Sequence, residues 1–140
     1  AAPSNPGLKA TWYDFKGKTC AEIAAAPVKN TYRVEDVTIP RGVKSYIIGL
    51  TYKGYINIPE DGIYSFYLSS DDGSMLYIDG KQVIDNDGLH APGEVTGQAA
   101  LKQGYHPIEV QYFDHGGGSI HLKVCGNDGK EIPFTYLYAH

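Results

Sequence analysis

Two adjacent carboxylates, Asp71 and Asp72, are the side chains of this sequence whose type and position best suit chemistry. They belong to the tetrapeptide Asp71-Asp72-Gly73-Ser74. Neighbouring carboxylates repel each other, and a hard cation placed between them removes that repulsion. The alternative interpretation is a polar turn that uses Asp and Gly only for their turn conformations. The surrounding elements must decide between the two.

The flanking segments predict that this acidic corner lies at one rim of a β-sheet. Residues 63–68 are rich in aromatic and β-branched side chains, which favour a strand. Residues 75–78 form a second apolar run that leads into Asp79-Gly80, a dipeptide typical of a two-residue hairpin turn. Strand, corner, strand and hairpin in this order place both carboxylates at one end of the sheet.

Short strand patterns separated by turn residues continue along most of the chain. Further strands are predicted over residues 8–15, 34–39, 46–58, 81–84, 94–101, 107–113, 119–125 and 132–138. One short helix is predicted near residues 20–26, with Thr19 as its N-cap and Pro27 ending it. The pattern indicates an all-β sandwich or barrel. We expect residues 1–7 to form a flexible tail and residues 8–140 a single domain.

Composition excludes some functions. The formal net charge is -4 and no basic run occurs, which disfavours nucleic-acid binding. No apolar run is long enough for a membrane span.

The only cysteines, Cys20 and Cys125, are predicted to form one disulfide between the first part of the domain and its last strand. Two buried free thiols are the alternative.

Several segments together resemble the anthrax protective antigen domain family, the PA-fourteen domain. They are residues 54–66, 69–74 and 76–80, followed by residues 104–108 and 112–118. The resemblance extends from about residue 8 to residue 124. Two of these motifs are most similar to those of modules attached to bacterial glycoside hydrolases of the β-hexosaminidase and β-glucosidase types. They are Ser-Ser-Asp-Asp-Gly-Ser and Leu-Tyr-Ile-Asp-Gly.

The resemblance implies an antiparallel two-sheet β-sandwich that binds carbohydrate. In the family's yeast adhesins, paired aspartates joined by a cis peptide hold a calcium ion, and this pair matches Asp71 and Asp72. Asp114 stands where those adhesins have Asn, and the carbonyl groups of Gly116 and Gly118 are expected to complete the site. The added negative charge should tighten calcium binding. Because glycines leave no side-chain wall in this loop, the adhesins' sugar specificity does not transfer.

The function expected from these features is calcium-dependent recognition of a terminal sugar by a non-catalytic module. Tyr77 and His115 are expected to flank the sugar, and the polar loop of residues 86–93 is a further candidate for contacts. The module would be accessory to a bacterial glycoside hydrolase or adhesin, in an extracellular, cell-surface or periplasmic location.

Two other functions stay open. In the first, Asp71, Asp72 and Asp114 are the acid and nucleophile of a glycosidase, although adjacent residues are poorly placed to flank a scissile bond. In the second, the domain is a spacer that binds no sugar and packs against a catalytic domain of the same polypeptide. A spacer predicts an exposed apolar patch on one sheet face.

Overall fold

The computed structural model describes residues 5–43, 47–132 and 136–138, and over these ranges the chain is an antiparallel two-sheet β-sandwich. The strands are β1 (Asn5–Pro6), β2 (Leu8–Tyr13), β3 (Val28–Val34), β4 (Ile48–Ile58), β5 (Gly62–Ser70), β6 (Ser74–Ile78), β7 (Lys81–Asn86), β8 (Gly93–Leu101), β9 (Gly104–Asp114), β10 (Ile120–Cys125) and β11 (Tyr136–Tyr138). The helical element found in these ranges is a 3₁₀ helix, Cys20–Ala25. The predicted fold class is confirmed.

The larger sheet has the strand order β1-β11-β4-β9-β6-β7, and β2 pairs with β4 and carries β3 on its other side. The smaller sheet has the order β10-β5-β8. β5 ends in the smaller sheet and β6 begins in the larger one, so the acidic corner at residues 71–73 is the crossing between the two sheets. This crossing puts Asp71 and Asp72 at the rim of the sandwich.

The core lies between the sheets because apolar side chains alternate along the strands. In β5, Tyr64, Phe66 and Leu68 are buried while the intervening residues are at least partly exposed. They belong to the same cluster as Tyr52 and Tyr112 of the larger sheet, both fully buried. A buried phenol needs a partner for its hydroxyl group. The Tyr52 hydroxyl donates to the carbonyl of Thr38 at 2.9 Å.

A second, smaller apolar cluster covers part of the outer face of the larger sheet, the face that points away from the core. It consists of Phe15, Cys20, Ile23, Met75 and Phe113, and the 3₁₀ helix supplies two of them. The helix is therefore held by packing onto β6 and β9.

Thr19 is the N-cap residue of the helix, as the sequence predicts. The Thr19 side chain makes no cap bond, and its hydroxyl donates to the Glu22 carboxylate at 3.0 Å. The backbone N–H of Cys20 is satisfied instead by Asp87, whose carboxylate accepts it at 2.9 Å. The helix start is thus fixed by a residue distant in sequence, which helix-capping patterns cannot reveal.

The predicted disulfide is wrong, because Cys20 and Cys125 are both buried free thiols. Cys20 packs on the outer face of the larger sheet. Val124 faces the core, so strand alternation turns the neighbouring Cys125 to the outer side of the smaller sheet. The whole sandwich separates the two sulfur atoms. Burial raises the pKa of the Cys20 thiol well above its ordinary value, and the nearby Asp87 raises it further.

Two chain segments differ from the predicted elements. The predicted strand at residues 34–39 is wrong beyond Val34, because residues 35–38 are bends. Asn5 and Pro6, which the sequence analysis assigns to the tail, pair with Leu137 and Tyr138 of β11. The predicted strand at residues 132–138 lies partly outside the described residues. In the described ranges, no helix is long and apolar enough to cross a membrane.

Candidate metal and ligand site

Three carboxylates meet at one rim of the sandwich. Asp71, Asp72 and Asp114 each place a carboxylate oxygen within 4.8 Å of the others. Pairing of β9 with β6 explains the approach, since Tyr112 is opposite Ser74 and the chain of β9 ends two residues later. The Asp71–Asp72 peptide bond is cis, as the family resemblance predicts. Two separate segments of sequence therefore build one oxygen-rich cluster.

Backbone hydrogen bonds fix the acidic corner between β9 and the loop that follows it. The N–H of Asp71 donates to the carbonyl of Ser119 at 3.0 Å, and the N–H of Asp72 donates to that of Phe113 at 3.1 Å. In return, the N–H of Phe113 donates to the Gly73 carbonyl at 3.0 Å. These bonds hold the main chain of both acidic segments in one position.

A buried polar network supports the corner from inside the sandwich. The Ser70 hydroxyl donates to the Asp72 carbonyl at 2.8 Å and lies 2.6 Å from the Ser74 hydroxyl. The Asn86 amide, also buried, donates to the Gly93 carbonyl at 3.0 Å and to Ser70 Oγ at 3.4 Å. The hydroxyl of Tyr112 reaches up from the core and donates to the Asp71 carbonyl at 2.8 Å.

The carboxylate of Asp72 is oriented by backbone donors from two loops. Its Oδ1 accepts the N–H of His90 at 3.1 Å, and its Oδ2 accepts the N–H of His115 at 3.0 Å. Both donors are uncharged backbone groups. The carboxylate is thus aimed without being neutralised.

The electrostatics of the cluster favour a cation. Over the described ranges, the ion pairs are Arg33–Glu35 and His106–Asp79, and neither includes a carboxylate of the cluster. Burial raises the pKa of Asp71, and the charges of Asp72 and Asp114 raise it further, although the charge on His90 opposes them. The negative charge of the three carboxylates is therefore balanced by no ion pair within the described ranges. Carboxylate oxygens are the ligands that a hard divalent cation prefers.

Gly118 packs against the acidic cluster, and no larger residue fits at its position. Its N–H donates to Oδ2 of Asp114. A Cβ atom at this position would overlap the carbonyl oxygen of Asp71 and lie 2.7 Å from Oδ1 of Asp114. A Cβ on Gly116, in contrast, would meet nothing within 4 Å. That the carbonyl groups of Gly116 and Gly118 bind the cation stays a prediction.

Of the two residues predicted to flank a sugar, His115 lies beside the acidic cluster and Tyr77 does not. His115 lies beside the cluster, but its ring is turned to the amino-terminal segment, where Nε2 lies 2.6 Å from the Gly17 carbonyl oxygen and the ring packs edge-on against Phe15 and Phe113. Tyr77 is not brought to the cluster. It pairs with Glu109, five residues before Asp114 on β9, which is about 16 Å along a strand.

Sequence reasoning missed His90 as a part of the site. Besides its backbone bond to Asp72, its ring places Nδ1 2.7 Å from the Ala91 carbonyl oxygen and Nε2 2.8 Å from that of Asn86. Both partners are acceptors, so both bonds form together only when the ring carries two protons. Burial lowers the pKa of His90, but these carbonyl groups and the charges of Asp72 and Asp71 raise it more. The polar composition of residues 86–93 was the sequence signal that this loop could belong to the site, but it did not single out His90.

The two-sheet topology makes this chain a β-sandwich module. Its rim carries an acidic cluster that could hold a metal ion, with two carboxylates from the crossing between the sheets and one from the end of β9. The sequence matches the PA14 domain family over residues 4–136, and the chain belongs to that family. The recognised resemblance is therefore confirmed.

Three related proteins illustrate the settings in which similar domains occur. The chain is 36% identical over 77 residues to a β-hexosaminidase of Porphyromonas gingivalis, a match that covers 54% of this chain and 9% of that protein. It is 41% identical over 68 residues to an α-agarase of Thalassotalea agarivorans, covering 49% of this chain and 4% of that protein. The matches thus span a small part of both enzymes. The fold is similar to the PA14 sugar-binding domain from an RTX adhesin, with a TM-score of 0.78, 18% identity, and coverage of 98% of this chain and 100% of that one.

Proposed function

We propose that this chain is a carbohydrate-binding module that holds a calcium ion at the rim and recognises a terminal sugar there. We further propose that it serves as an accessory to a glycoside hydrolase or an adhesin, in an extracellular, cell-surface or periplasmic location. The observation that carries the proposal is the convergence of Asp71, Asp72 and Asp114 within 4.8 Å at the rim of the sandwich, with Asp114 buried and the other two partly exposed.

The residues at the rim fit a calcium ion by their chemistry. Calcium takes six to eight oxygen ligands, and three carboxylates leave positions for backbone carbonyl groups and for waters or hydroxyl groups. Gly118 packs directly against the Asp71 carbonyl and the Asp114 carboxylate, so only a glycine lets the loop after β9 approach the cluster this closely. A bound calcium ion supplies positive charge that orients vicinal hydroxyl groups of a sugar.

The chain's own residues orient the cluster and shape its surroundings. The N–H groups of His90 and His115 fix the direction of the Asp72 carboxylate. Leu89 is 50% exposed in the neighbouring loop and offers an apolar contact beside the rim. Gly116 and Gly117 are exposed and carry no side chain on the opposite side. Such a shallow site supports weak binding that gains strength when the module is tethered.

The spacer function finds less support in the surface. Its prediction was an apolar patch on one sheet face, but the outer face of the smaller sheet carries polar side chains such as Glu94, Thr96, Gln98 and His121. Among the described residues, the exposed large hydrophobic side chains lie on different strands or in the segments between them; they are Val28, Ile47, Ile63, Leu89 and Tyr105.

Calcium titration tests the metal. Melting temperature should rise in calcium and fall in chelator, since a ligand held at about a hundredfold its Kd stabilises by roughly 2.7 kcal/mol. Asp72→Asn should abolish the response. Glu60→Gln, which removes one negative charge from an exposed residue before the opposite end of β5, should keep it. A melt that ignores calcium in the unmodified chain would refute the metal site.

A glycan array, read in calcium and again in chelator, tests the sugar. The proposal expects signals that vanish in chelator and in Asp72→Asn but persist in Glu60→Gln. Nitrophenyl glycosides should stay intact, because the proposed module is not an enzyme. If calcium stabilises the protein while every glycan stays unbound, the sugar-binding function fails and the spacer function replaces it.

A further inference from the structure

A groove of about 550 Å³ crosses the outer face of the larger sheet, away from the acidic cluster. Its lining includes Lys9, Lys53, Tyr55, Tyr77, Glu109 and Gln111. Lys9, Lys53, Glu109 and Tyr77 form one row across β2, β4, β9 and β6, because each is the cross-strand partner of the next. The 3₁₀ helix and its apolar cluster cover the neighbouring part of the same face.

The two lysines of this row form no ion pair among the described residues, although Glu109 is the cross-strand partner of Lys53. Lys9 and Lys53 lie directly opposite each other on the same sheet face. Like charges in this position destabilise a sheet. Neither ammonium group is in an ion pair within the described ranges, and the Glu109 carboxylate is engaged with Gln111, whose Nε2 donates to it at 2.8 Å. An anion placed between the lysines would remove the repulsion.

The remaining lining offers what a saccharide needs. Tyr55 and Tyr77 are half-buried on strands to either side of β9, and phenol rings pack against the apolar faces of sugar rings while their hydroxyl groups stay wet. Glu109 and Gln111 lie between them on β9 and supply acceptors and a donor for hydroxyl groups. A few directed polar groups among aromatic walls are typical of a small-ligand groove.

The backbone below the groove argues against a peptide. Along the groove, β4 is paired with β2 or β11 on one side and with β9 on the other, and β9 is paired with β4 and β6. Peptide strands bind by main-chain hydrogen bonds to a free sheet edge, and no such edge lines the groove floor. Recognition here depends on side chains alone.

We propose that this groove is a second carbohydrate site, which binds an acidic saccharide with the carboxylate of a uronate between Lys9 and Lys53. The site needs no metal ion. The proposal rests on the proposed function only in taking carbohydrate as the class of ligand.

Calorimetry with trigalacturonate, in chelator and at low salt, tests the proposal, with cellotriose as the neutral probe. Trigalacturonate should bind and cellotriose should not. Lys53→Gln should weaken binding about tenfold or more, the scale of one charge-assisted hydrogen bond. Lys130→Gln, an exposed lysine in the turn after β10, is the matched control and should bind normally. Asp72→Asn should also bind normally, so this site and the rim site fail or succeed separately.

Three results would overturn the proposal. The first is unchanged affinity in Lys53→Gln, and the second is binding that requires calcium, which would assign the uronate to the rim. The third is equal affinity for a hexaglutamate peptide, which would reduce the groove to a general anion surface. Circular dichroism of Lys53→Gln identifies any loss of binding that comes from misfolding.

Discussion

Gly118→Ala is the substitution that tests the geometry of the acidic cluster most directly. The added methyl group would overlap the carbonyl oxygen of Asp71 and lie 2.7 Å from Oδ1 of Asp114. Neither atom is free to move, because the Asp71 carbonyl accepts the Tyr112 hydroxyl at 2.8 Å and the Asp114 carboxylate accepts the N–H of Gly118 itself. Relief of the overlap must break at least one of these bonds.

Two effects of measurable size follow from that overlap. Overpacking of a close-packed site costs about 1–3 kcal/mol. For a domain of this length, a loss of that size lowers the melting temperature by roughly 3–12 °C. Since the methyl group also pushes Asp71 and Asp114 apart, calcium affinity should fall by about 10- to 100-fold, the range seen when groups that orient metal ligands are disturbed.

Gly116→Ala provides the matched control, because a Cβ there meets nothing within 4 Å. Both variants are compared by urea and thermal unfolding in chelator, which isolates the packing cost, and by calcium titration, which isolates the effect on the ligands. Gly118→Ala should be impaired in both measurements and Gly116→Ala in neither. If the two variants share the same stability and the same calcium affinity, the close approach at Gly118 does not shape the site and the reasoning is refuted.

Three further predictions concern the rest of the domain. Unfolded without reductant, the protein should titrate two free thiols, from Cys20 and Cys125; finding none would restore the disulfide. Asn86→Ala should lower the free energy of unfolding in urea by about 1–3 kcal/mol, since it leaves the Gly93 carbonyl without its donor; an unchanged urea midpoint would contradict this role. Burial lowers the pKa of His106, but its bonds to the Lys102 carbonyl and to Asp79 raise it more. A group with a raised pKa in the folded state contributes its full stabilisation below the unfolded pKa, which is about 6.5 for His. That stabilisation is lost as the pH rises through the folded pKa. Unfolding free energies measured against pH should therefore fall less steeply in Asp79→Asn as the pH rises above about 6.5, and parallel curves would count against the pair.

The strands that sequence reasoning found are those with one buried face. β5 alternates between buried and more exposed side chains over most of its length, so its pattern is visible in the sequence. β3 was missed because most of its side chains are exposed and no alternation marks it. The strand predicted just after β3 fails for a local reason, since the Asp36 carboxylate accepts the N–H of Val37 at 2.7 Å and turns the chain. Val37 is nonetheless buried in the core, which explains why the segment resembled a strand.

The acidic cluster was partly predictable because its carboxylates are side chains of recognisable segments, whereas the groups that aim them are not. Asp72 is held by the N–H groups of His90 and His115, and any residue other than proline supplies an N–H group. Such contacts leave no trace in the sequence. It follows that the two bonds themselves require no particular residue type at positions 90 and 115, although both histidine rings help to place their loops. The loops around the rim can therefore alter what they present to a ligand while the arrangement of Asp71, Asp72 and Asp114 stays the same, which separates the chemistry of the site from its specificity.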